Sequence, residues 1–187
     1  DGPANPDNAV GASVFLGTPV GLNEHSYFEV GGHPEDWRGG SVVSRAGDVN
    51  GDGFGDFLVG FPGATDSEPG QGAFGLYYGS YSGPSEGLFT FGTFAGEQLG
   101  TSLAWLGDIN NDGFSDFAVG SPGYLIGERA YGAVYIYFGG AQGAARVPDQ
   151  IIPGEQEGAA FGSAIVGGDF DNNGYSDIAI GAARVMG

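Results

Sequence analysis

The sequence predicts an all-β protein built from repeated four-stranded units, and three observations indicate this fold class. A segment of 13 residues occurs three times, as DVNGDGFGDFLVG from Asp48, DINNDGFSDFAVG from Asp108 and DFDNNGYSDIAIG from Asp169. The apolar stretches around these copies are short, rich in Val, Ile, Phe and Tyr, and bounded by Gly, Pro, Asn and Asp, which is typical of β-strands. No segment of 10 or more residues has the apolar period of a helix.

The length and composition indicate one folded domain over residues 1–187. Hydrophobic residues make up 41% and aromatic residues 13% of the chain, which is too much for a disordered protein and enough for a buried core. The chain has no cysteine, so disulfides and thiolate metal sites are excluded. We therefore expect a single repeat domain.

The charge of the chain limits its partners. Acidic residues number 23 against 5 basic ones, which gives a formal net charge of −18. All five basic residues are arginines scattered singly among the acids, so no patch could neutralise a nucleic-acid backbone. No apolar run approaches the roughly 20 residues that a membrane span requires. We expect no nucleic-acid partner and no membrane span.

The internal repeat divides the chain into units. The copies of the recurring segment begin 60 and 61 residues apart, and the similarity extends to the apolar stretches on both sides. We therefore predict units at approximately 39–98, 99–160 and 161–187. A period of this length with four short strands is typical of a β-propeller blade. The alternative is a parallel β-helix, whose repeats are only roughly 20 to 30 residues long.

Each unit is predicted to contain four strands, named A to D in chain order. Strand A precedes the recurring acidic segment, and strand B follows it as the apolar run FLV, FAV or IAI. Strand C is the aromatic stretch at 72–79 and 132–139, and strand D lies at 87–91 and 149–154. Because strand B is wholly apolar, we expect it to be covered on both faces, with the aromatic rings of strand C between neighbouring units.

The third unit contains strands A and B only, and its missing strands have counterparts near the N-terminus. The stretches 10–17 and 25–32 resemble strands C and D, so residues 9–32 would complete a unit of the same kind. The sequence thus predicts about three blades, one of them split between the termini, whereas known propellers use about four to eight. We therefore expect part of a larger or oligomeric propeller, completed by the rest of a longer chain or by other copies that pair head to tail.

The recurring acidic segment has the ligand pattern of a calcium loop. Calcium takes six to eight oxygen ligands, and alternate residues of a tight loop direct their oxygens to one centre. With the first aspartate of each copy as position 1, positions 1, 3, 5 and 9 carry Asp or Asn, and the backbone carbonyl of position 7 supplies a fifth ligand. The predicted ligands of three Ca²⁺ sites are Asp48, Asn50, Asp52, Phe54 and Asp56 in loop one, Asp108, Asn110, Asp112, Phe114 and Asp116 in loop two, and Asp169, Asp171, Asn173, Tyr175 and Asp177 in loop three.

Two other kinds of loop share part of this pattern. An EF-hand has the same first nine positions, but its twelfth residue is a glutamate that leads into a helix. Position 12 here is Val59, Val119 or Ile180, within an apolar strand. A DG or NG turn with solvated acids is the other alternative for any one copy. Three copies in register, each with Gly at position 6, favour a metal loop in a β-hairpin.

Residues that flank the acidic loops recur as well. They occur with nearly constant spacing but changing letters, as FG at 161–162 with GAA at 181–183, LG at 99–100 with GSP at 120–122, and GG at 39–40 with GFP at 60–62. With these residues the units resemble the FG-GAP repeats of the integrin alpha-chain propeller, from about residue 25 to 187. The resemblance implies a β-propeller with calcium in hairpins on one rim, in a secreted or cell-surface protein that acts in adhesion or ligand binding.

The predicted function is a calcium-stabilised extracellular binding or adhesion module for a protein or glycan ligand. The ions would be structural, because loops saturated with protein oxygens leave little room for a substrate. We predict no catalytic residues, since His25 and His33 lie in the least regular region and no set of nucleophile and base is present. The alternative is a propeller enzyme or lectin that acts on polysaccharide. Head-to-tail self-assembly by strand complementation is a further expectation.

Overall fold

The computed structural model of the chain describes residues 10–25, 27–31 and 42–183. Several sequence predictions concern residues outside these ranges, namely the start of the first unit with its GG pair at 39–40, His33, Ser26 and Gly32 of the predicted strand D, and the end of the third unit at 184–187. The described ranges contain strands, turns and loops without a helix, which confirms the all-β prediction. Accordingly, no helix in them is long and apolar enough to cross a membrane.

The N-terminal strands form a two-stranded sheet with a small hairpin in the connection. Strand β1 (Val10–Val14) is followed by β2 (Gly17–Thr18), β3 (Gly21–Leu22) and β4 (Phe28–Gly31); β1 pairs antiparallel with β4, and β2 with β3. The predicted strand over 10–17 is therefore too long, because β1 ends at Val14. The Thr18 hydroxyl donates to the Gly21 carbonyl (2.8 Å) and Gly21 has a φ of +134°, so a tight turn connects β2 to β3.

The first complete sheet contains four antiparallel strands in chain order. They are β5 (Val42–Gly47), β6 (Asp56–Phe61), β7 (Ala73–Tyr78) and β8 (Ser85–Phe91). Loop one, with its acidic positions, joins β5 to β6. The two central strands, β6 and β7, are largely buried, whereas β5 alternates between half-buried and exposed residues. This pattern is expected where a sheet is covered on both faces at its centre.

The second complete sheet repeats the same order of strands. Its members are β9 (Ser102–Gly107), β10 (Asp116–Ser121), β13 (Ala133–Tyr137) and β14 (Gln150–Pro153), and the connection from β10 to β13 carries a short hairpin of β11 (Leu125–Ile126) and β12 (Arg129–Ala130). The last two described strands, β15 (Phe161–Gly168) and β16 (Asp177–Ala182), pair antiparallel with each other. Loops two and three join β9 to β10 and β15 to β16, the same junction that loop one occupies in the first sheet.

One hydrophobic core lies between the two complete sheets. Leu58 and Phe74 of the first sheet meet Phe117 and Tyr137 of the second. The rings of Phe117 and Tyr137 stack with their centroids 5.1 Å apart, and the ring of Phe74 lies 5.2 Å from that of Tyr137. Burying a large apolar side chain of this kind stabilises a protein by about 1.5–3 kcal/mol. The aromatic residues of strand C therefore hold consecutive sheets together.

The outer faces of the complete sheets are covered by the two-stranded sheets. Val59 of β6 points away from the first core and packs with Val30 of β4, while Ala118 of β10 packs with Ile165 of β15. Consecutive sheets also touch through backbone, because Gly72 bridges to Leu99 and Gly132 to Phe161. Stacked small sheets with a core at every boundary are the arrangement of propeller blades, and the fold class predicted from the sequence is confirmed.

Candidate metal centre

Each acidic loop is a β-hairpin connection with the same register. Gly47 pairs with Asp56 where loop one closes, Gly107 with Asp116 in loop two, and Gly168 with Asp177 in loop three. The position 9 aspartate is thus the first residue of strand B in each unit. Position 12 lies inside strands β6, β10 and β16, so the loops differ from an EF-hand as the sequence predicts.

The side chain at position 1 organises the loop. In loop one the Asp48 carboxylate accepts hydrogen bonds from the backbone N–H groups of Gly51 (2.8 Å), Asp52 (3.1 Å) and Gly53 (2.9 Å). Asp108 accepts from the corresponding positions 5 and 6 of loop two at 3.0 and 2.8 Å, and Asp169 does so in loop three at 3.1 and 2.9 Å. The position 6 glycines have φ values of +89°, +95° and +91°, a conformation that side chains disfavour. These bonds explain why the loops keep one shape despite their different sequences.

The position 9 aspartates are the buried acids of the first two loops. Asp56 is only 3% exposed, and its carboxylate accepts from the N–H groups of Val49 (2.8 Å) and Gly79 (2.9 Å). Burial raises the pKa of Asp56, the two backbone donors oppose this shift, and the nearby charges of Asp52 and Asp48 raise the pKa further. A cation in the loop would offset both burial and the repulsion between the acids.

Asp116 of loop two repeats this environment. It is fully buried, and its carboxylate accepts from Ile109 (2.8 Å) and Gly139 (2.9 Å). Burial raises its pKa against these two backbone donors, and the charges of Asp112 and Asp108 add to the rise. Two loops separated by a whole unit therefore place their last acid in the same buried, doubly bonded position.

In loop three the side chains come close enough to share an ion. Carboxylate oxygens of Asp169, Asp171 and Asp177 all lie within 4.8 Å of one another. Loops one and two have Asn50 and Asn110 at the position of Asp171, so an amide oxygen stands there in place of a carboxylate. A set of carboxylate, amide and carbonyl oxygens without sulfur or imidazole suits a hard divalent cation. The cluster of loop three could therefore hold a metal ion, while the individual ligands of the three loops stay predictions.

Two glycines near the loops contribute donors that the sequence did not indicate. Gly79 and Gly139 follow strand C in each complete sheet, and their N–H groups bond to Asp56 and Asp116. A methyl group on Gly139 would lie 2.5 Å from the Ser115 carbonyl oxygen, so only glycine allows this approach. The available signal was the repetition of YYG and YFG at the same offset in the two units.

Comparison with known proteins identifies the repeats. The profile of the FG-GAP repeat family matches residues 40–77, 99–137 and 161–186. The chain is 40% identical to Integrin alpha-PS2 of Drosophila melanogaster over 151 residues, which are 72% of this chain and 11% of that protein. It is 37% identical to Integrin alpha-3 of Mus musculus over 178 residues, which are 90% of this chain and 15% of that protein.

A third relative gives the same result. Integrin alpha-6 of Gallus gallus is 37% identical over 139 residues, which are 72% of this chain and 12% of that protein. The chain thus spans only 11% to 15% of the length of these three relatives. Each segment that the family profile matches contains one acidic loop with the strands on both sides of it. This chain belongs to the FG-GAP repeat family.

Proposed function

We propose that this chain is a calcium-stabilised binding module of the extracellular adhesion type. The observation that carries the proposal is the meeting of Asp169, Asp171 and Asp177 in a loop of the same design as the other two. The similarity to integrin alpha chains supports an adhesion-type module. The ligand would be a protein or a glycan, and the module would belong to a secreted or cell-surface protein.

The proposed role of the ions is structural. In each loop the side chains at positions 1, 3, 5 and 9 and the carbonyl at position 7 would hold one Ca²⁺. The ion would neutralise acids that repel one another and would tie strand A to strand B of the same sheet. Three ions would change the formal charge from −18 to −12, since each adds two positive charges. Calcium sites of extracellular modules are typically weak, with dissociation constants of about 10⁻⁴ to 10⁻³ M.

We do not assign an enzymatic activity. His25 is exposed in the segment between β3 and β4, and it stands away from the acidic loops in the sequence. In the described part of the chain, the acids that cluster closely enough to hold a metal are Asp169, Asp171 and Asp177 of loop three, where the ion would occupy them. A binding role therefore accounts for these residues better than hydrolysis of a polysaccharide does.

The completion of the terminal sheets is part of the same proposal. The sheet of β15 and β16 has only two strands, and large apolar side chains are exposed in it and in loop three, namely Val166 (54%) of β15 and Phe170 (58%) and Tyr175 (62%) of the loop. In the complete sheets the corresponding strands are extended by strands C and D and covered by a neighbour. We expect a further part of a longer chain, or a second copy of this one, to supply these strands.

Solution mass tests how the sheets are completed. Light scattering with and without calcium would show a concentration-dependent increase in mass if copies complete one another. Val166→Glu would place a charge on the exposed face and should reduce that association, whereas the same change at the fully exposed Val20 should leave it unchanged. A monomer at all concentrations would exclude self-assembly and leave a longer chain as the source of the strands.

Calcium binding is tested by heat denaturation. The chain is freed of metal with a chelator and then unfolded at increasing calcium concentrations. We expect the melting temperature to rise, because an ion present at 100 times its dissociation constant stabilises the folded state by about 2.7 kcal/mol per site. Magnesium at the same concentration should have a smaller effect, since it dehydrates reluctantly and demands an octahedral site. A melting temperature that calcium does not change would contradict the proposal.

A further inference from the structure

Loops one and two are joined to each other by two hydrogen bonds. The N–H of Ser115 donates to the carbonyl oxygen of Asp48 (2.9 Å), and the N–H of Asp48 donates to the hydroxyl oxygen of Ser115 (3.2 Å). Asp48 is position 1 of loop one, and Ser115 is position 8 of loop two. A reciprocal pair of bonds thus connects two residues of different loops that lie 67 positions apart in the chain.

Ser115 is flanked in loop two by two of the proposed metal ligands. Ser115 lies between Phe114 and Asp116, the proposed ligands at positions 7 and 9. An ion that fixes these two neighbours would also fix Ser115 and, through it, the backbone of Asp48. The ring of Phe114 adds a direct contact, because a methyl group on Gly51 of loop one would lie 2.6 Å from Phe114 Cε1. These contacts provide a physical route by which order in loop two would reach loop one.

A second path connects the buried position 9 acids. The N–H of Gly139 donates to Asp116 (2.9 Å), and the N–H of the next residue, Gly140, donates to the carbonyl oxygen of Val49 (2.9 Å). Val49 in turn donates its N–H to the carboxylate of Asp56 (2.8 Å). A chain of backbone groups therefore runs from the last acid of loop two to the last acid of loop one.

We infer that loops one and two bind their metal ions cooperatively, with Ser115 as the residue that couples them. This inference rests on the proposed calcium function. The cooperativity is positive, because the first ion already orders the backbone groups that connect the two loops. Binding of the second ion therefore loses less conformational entropy. Each bound ion lowers the negative potential at the other loop, which opposes positive cooperativity, but this effect is screened over about 8 Å at physiological salt.

Loop three provides a control within the same molecule. Ser176 corresponds to Ser115 and lies near loop two, since a methyl group on Gly107 would be 2.9 Å from its hydroxyl oxygen. Over residues 42–183, however, Ser176 and Asp108 form neither of the two bonds that join Ser115 and Asp48. The ring of Tyr175, which corresponds to Phe114, is 62% exposed. We expect loop three to bind its ion independently.

The experiment is a calcium titration followed by NMR through one amide in each loop. The reporters are the position 6 glycines, Gly53, Gly113 and Gly174, whose N–H groups bond to the position 1 acids. Asp108→Asn weakens loop two while keeping the shape of the side chain, and Asp169→Asn does the same in loop three. Asp108→Asn should raise the calcium concentration at the midpoint of Gly53 by about fivefold or more. Asp169→Asn should leave that midpoint unchanged.

Reciprocity and a milder variant complete the test. Asp48→Asn should weaken binding at Gly113 by the same factor, because coupling between two sites is mutual. Ser115→Ala keeps every proposed metal ligand and should raise the calcium concentration at the Gly53 midpoint a few-fold. Ser176→Ala should leave that midpoint unchanged. These two variants test the coupling even if Asp108→Asn fails to fold. An unchanged Gly53 midpoint in both Asp108→Asn and Ser115→Ala would overturn the coupling. If no glycine amide of the unaltered chain responds to calcium, the proposed function itself is wrong.

Discussion

The α-carbon of Gly60 lies so close to the carbonyl oxygen of Gly100 that a methyl group on Gly60 would overlap that oxygen. Gly120 and Gly162 have the same relationship one unit later. Gly60 and Gly120 begin the GFP and GSP triplets near the ends of β6 and β10, whereas Gly100 and Gly162 end the LG and FG pairs just before β9 and at the start of β15. The two glycine positions of the family motif therefore meet across the boundary between consecutive blades.

Substitution of Gly60 or Gly120 by alanine should loosen this boundary. The added methyl group must displace backbone rather than a flexible side chain, and overpacking of this kind costs about 1–3 kcal/mol of the free energy of unfolding. The measurement is urea denaturation of the calcium-free protein. Gly17→Ala is the control, because nothing lies within 4 Å of that position. Equal stability of Gly60→Ala and Gly17→Ala would show that the close approach is not a constraint.

A buried glutamate forms hydrogen bonds across the boundary between the first and second complete sheets. Glu97 is fully buried, and its carboxylate accepts from the N–H groups of Thr93 and Phe94 (3.0 Å to Phe94). It also accepts from the hydroxyls of Ser121 (3.1 Å) and Tyr135 (2.7 Å), which belong to the second sheet. Burial, and then the hydrogen bond to Glu97, raises the pKa of Tyr135. One carboxylate thus gathers donors from the end of the first sheet and from two strands of the next.

Glu97→Ala should lower the free energy of unfolding by about 3 kcal/mol, because several buried donors lose their acceptor. Glu97→Gln keeps one acceptor oxygen and should cost less. The matched control is Glu157→Gln, which removes an ion pair to Arg129 (2.9 Å) between side chains that are 53% and 67% exposed. That exposed pair should contribute less than about 1 kcal/mol. A loss no larger at Glu97 than at Glu157 would contradict the role of the buried carboxylate.

The acidic loops and the buried glutamate show what the sequence can and cannot reveal. The hairpin loops were predictable because their turns are local and their acidic side chains occur at fixed positions, as at Asp48, Asp52 and Asp56. The bonds of Glu97 depend on how two sheets pack, and its local sequence, GEQ, is typical of a solvated turn. The hydrogen bonds between Asp48 and Ser115 could not be predicted either, because they also depend on how two sheets pack.

The length of β1 was misjudged for a different reason. Phe15 and Leu16 extend the apolar run of the strand and suggested that it continues to residue 17, yet these side chains are 46% and 39% exposed. The chain instead leaves β1 at Val14, and the carbonyl of Leu16 accepts from the N–H of Asn23 (2.9 Å) at the base of the hairpin of β2 and β3. The all-β fold and the strand order within a unit were predictable, because they follow from the repeat and from strands short enough to require hairpins.

Alkaline conditions should weaken the fold through Tyr77. Burial, and then the charge of Glu86, raises the pKa of the Tyr77 hydroxyl to about 12. The unfolded chain releases this proton near pH 10, so the folded state binds more protons between these values. The stability that Tyr77 contributes is complete below about pH 10 and is lost as the pH rises toward 12, with a slope of at most about 1.4 kcal/mol per pH unit.

Between about pH 10 and 12 no lysine titrates alongside Tyr77, because the chain has no lysine and its arginines stay charged. The free energy of unfolding is measured in urea from about pH 9 to 12. Tyr77→Phe keeps the ring that stacks on Phe57 (5.2 Å) and should make the decline with pH shallower. The hypothesis is wrong if both proteins lose stability at the same rate.

Loop three differs from the other two in the order of its predicted ligands, which allows a test of which oxygens would hold the proposed ion. It has Asp171 at position 3 and Asn173 at position 5, whereas loop one has Asn50 and Asp52 there. Asp171→Asn removes one of the three clustered carboxylates and should weaken calcium binding at the Gly174 amide about tenfold, because affinity rises with the number of charged ligands.

Adding Asn173→Asp to that variant recreates the ligand order of loop one and should restore most of the lost affinity. Asn173→Asp alone gives four carboxylates, which should strengthen binding because affinity rises with the number of charged ligands. The double variant separates the two interpretations of the cluster. If the ion is held by the whole set of oxygens, exchanging Asp and Asn between positions 3 and 5 is nearly neutral. If only the contact of Asp169, Asp171 and Asp177 matters, the double variant binds as weakly as Asp171→Asn.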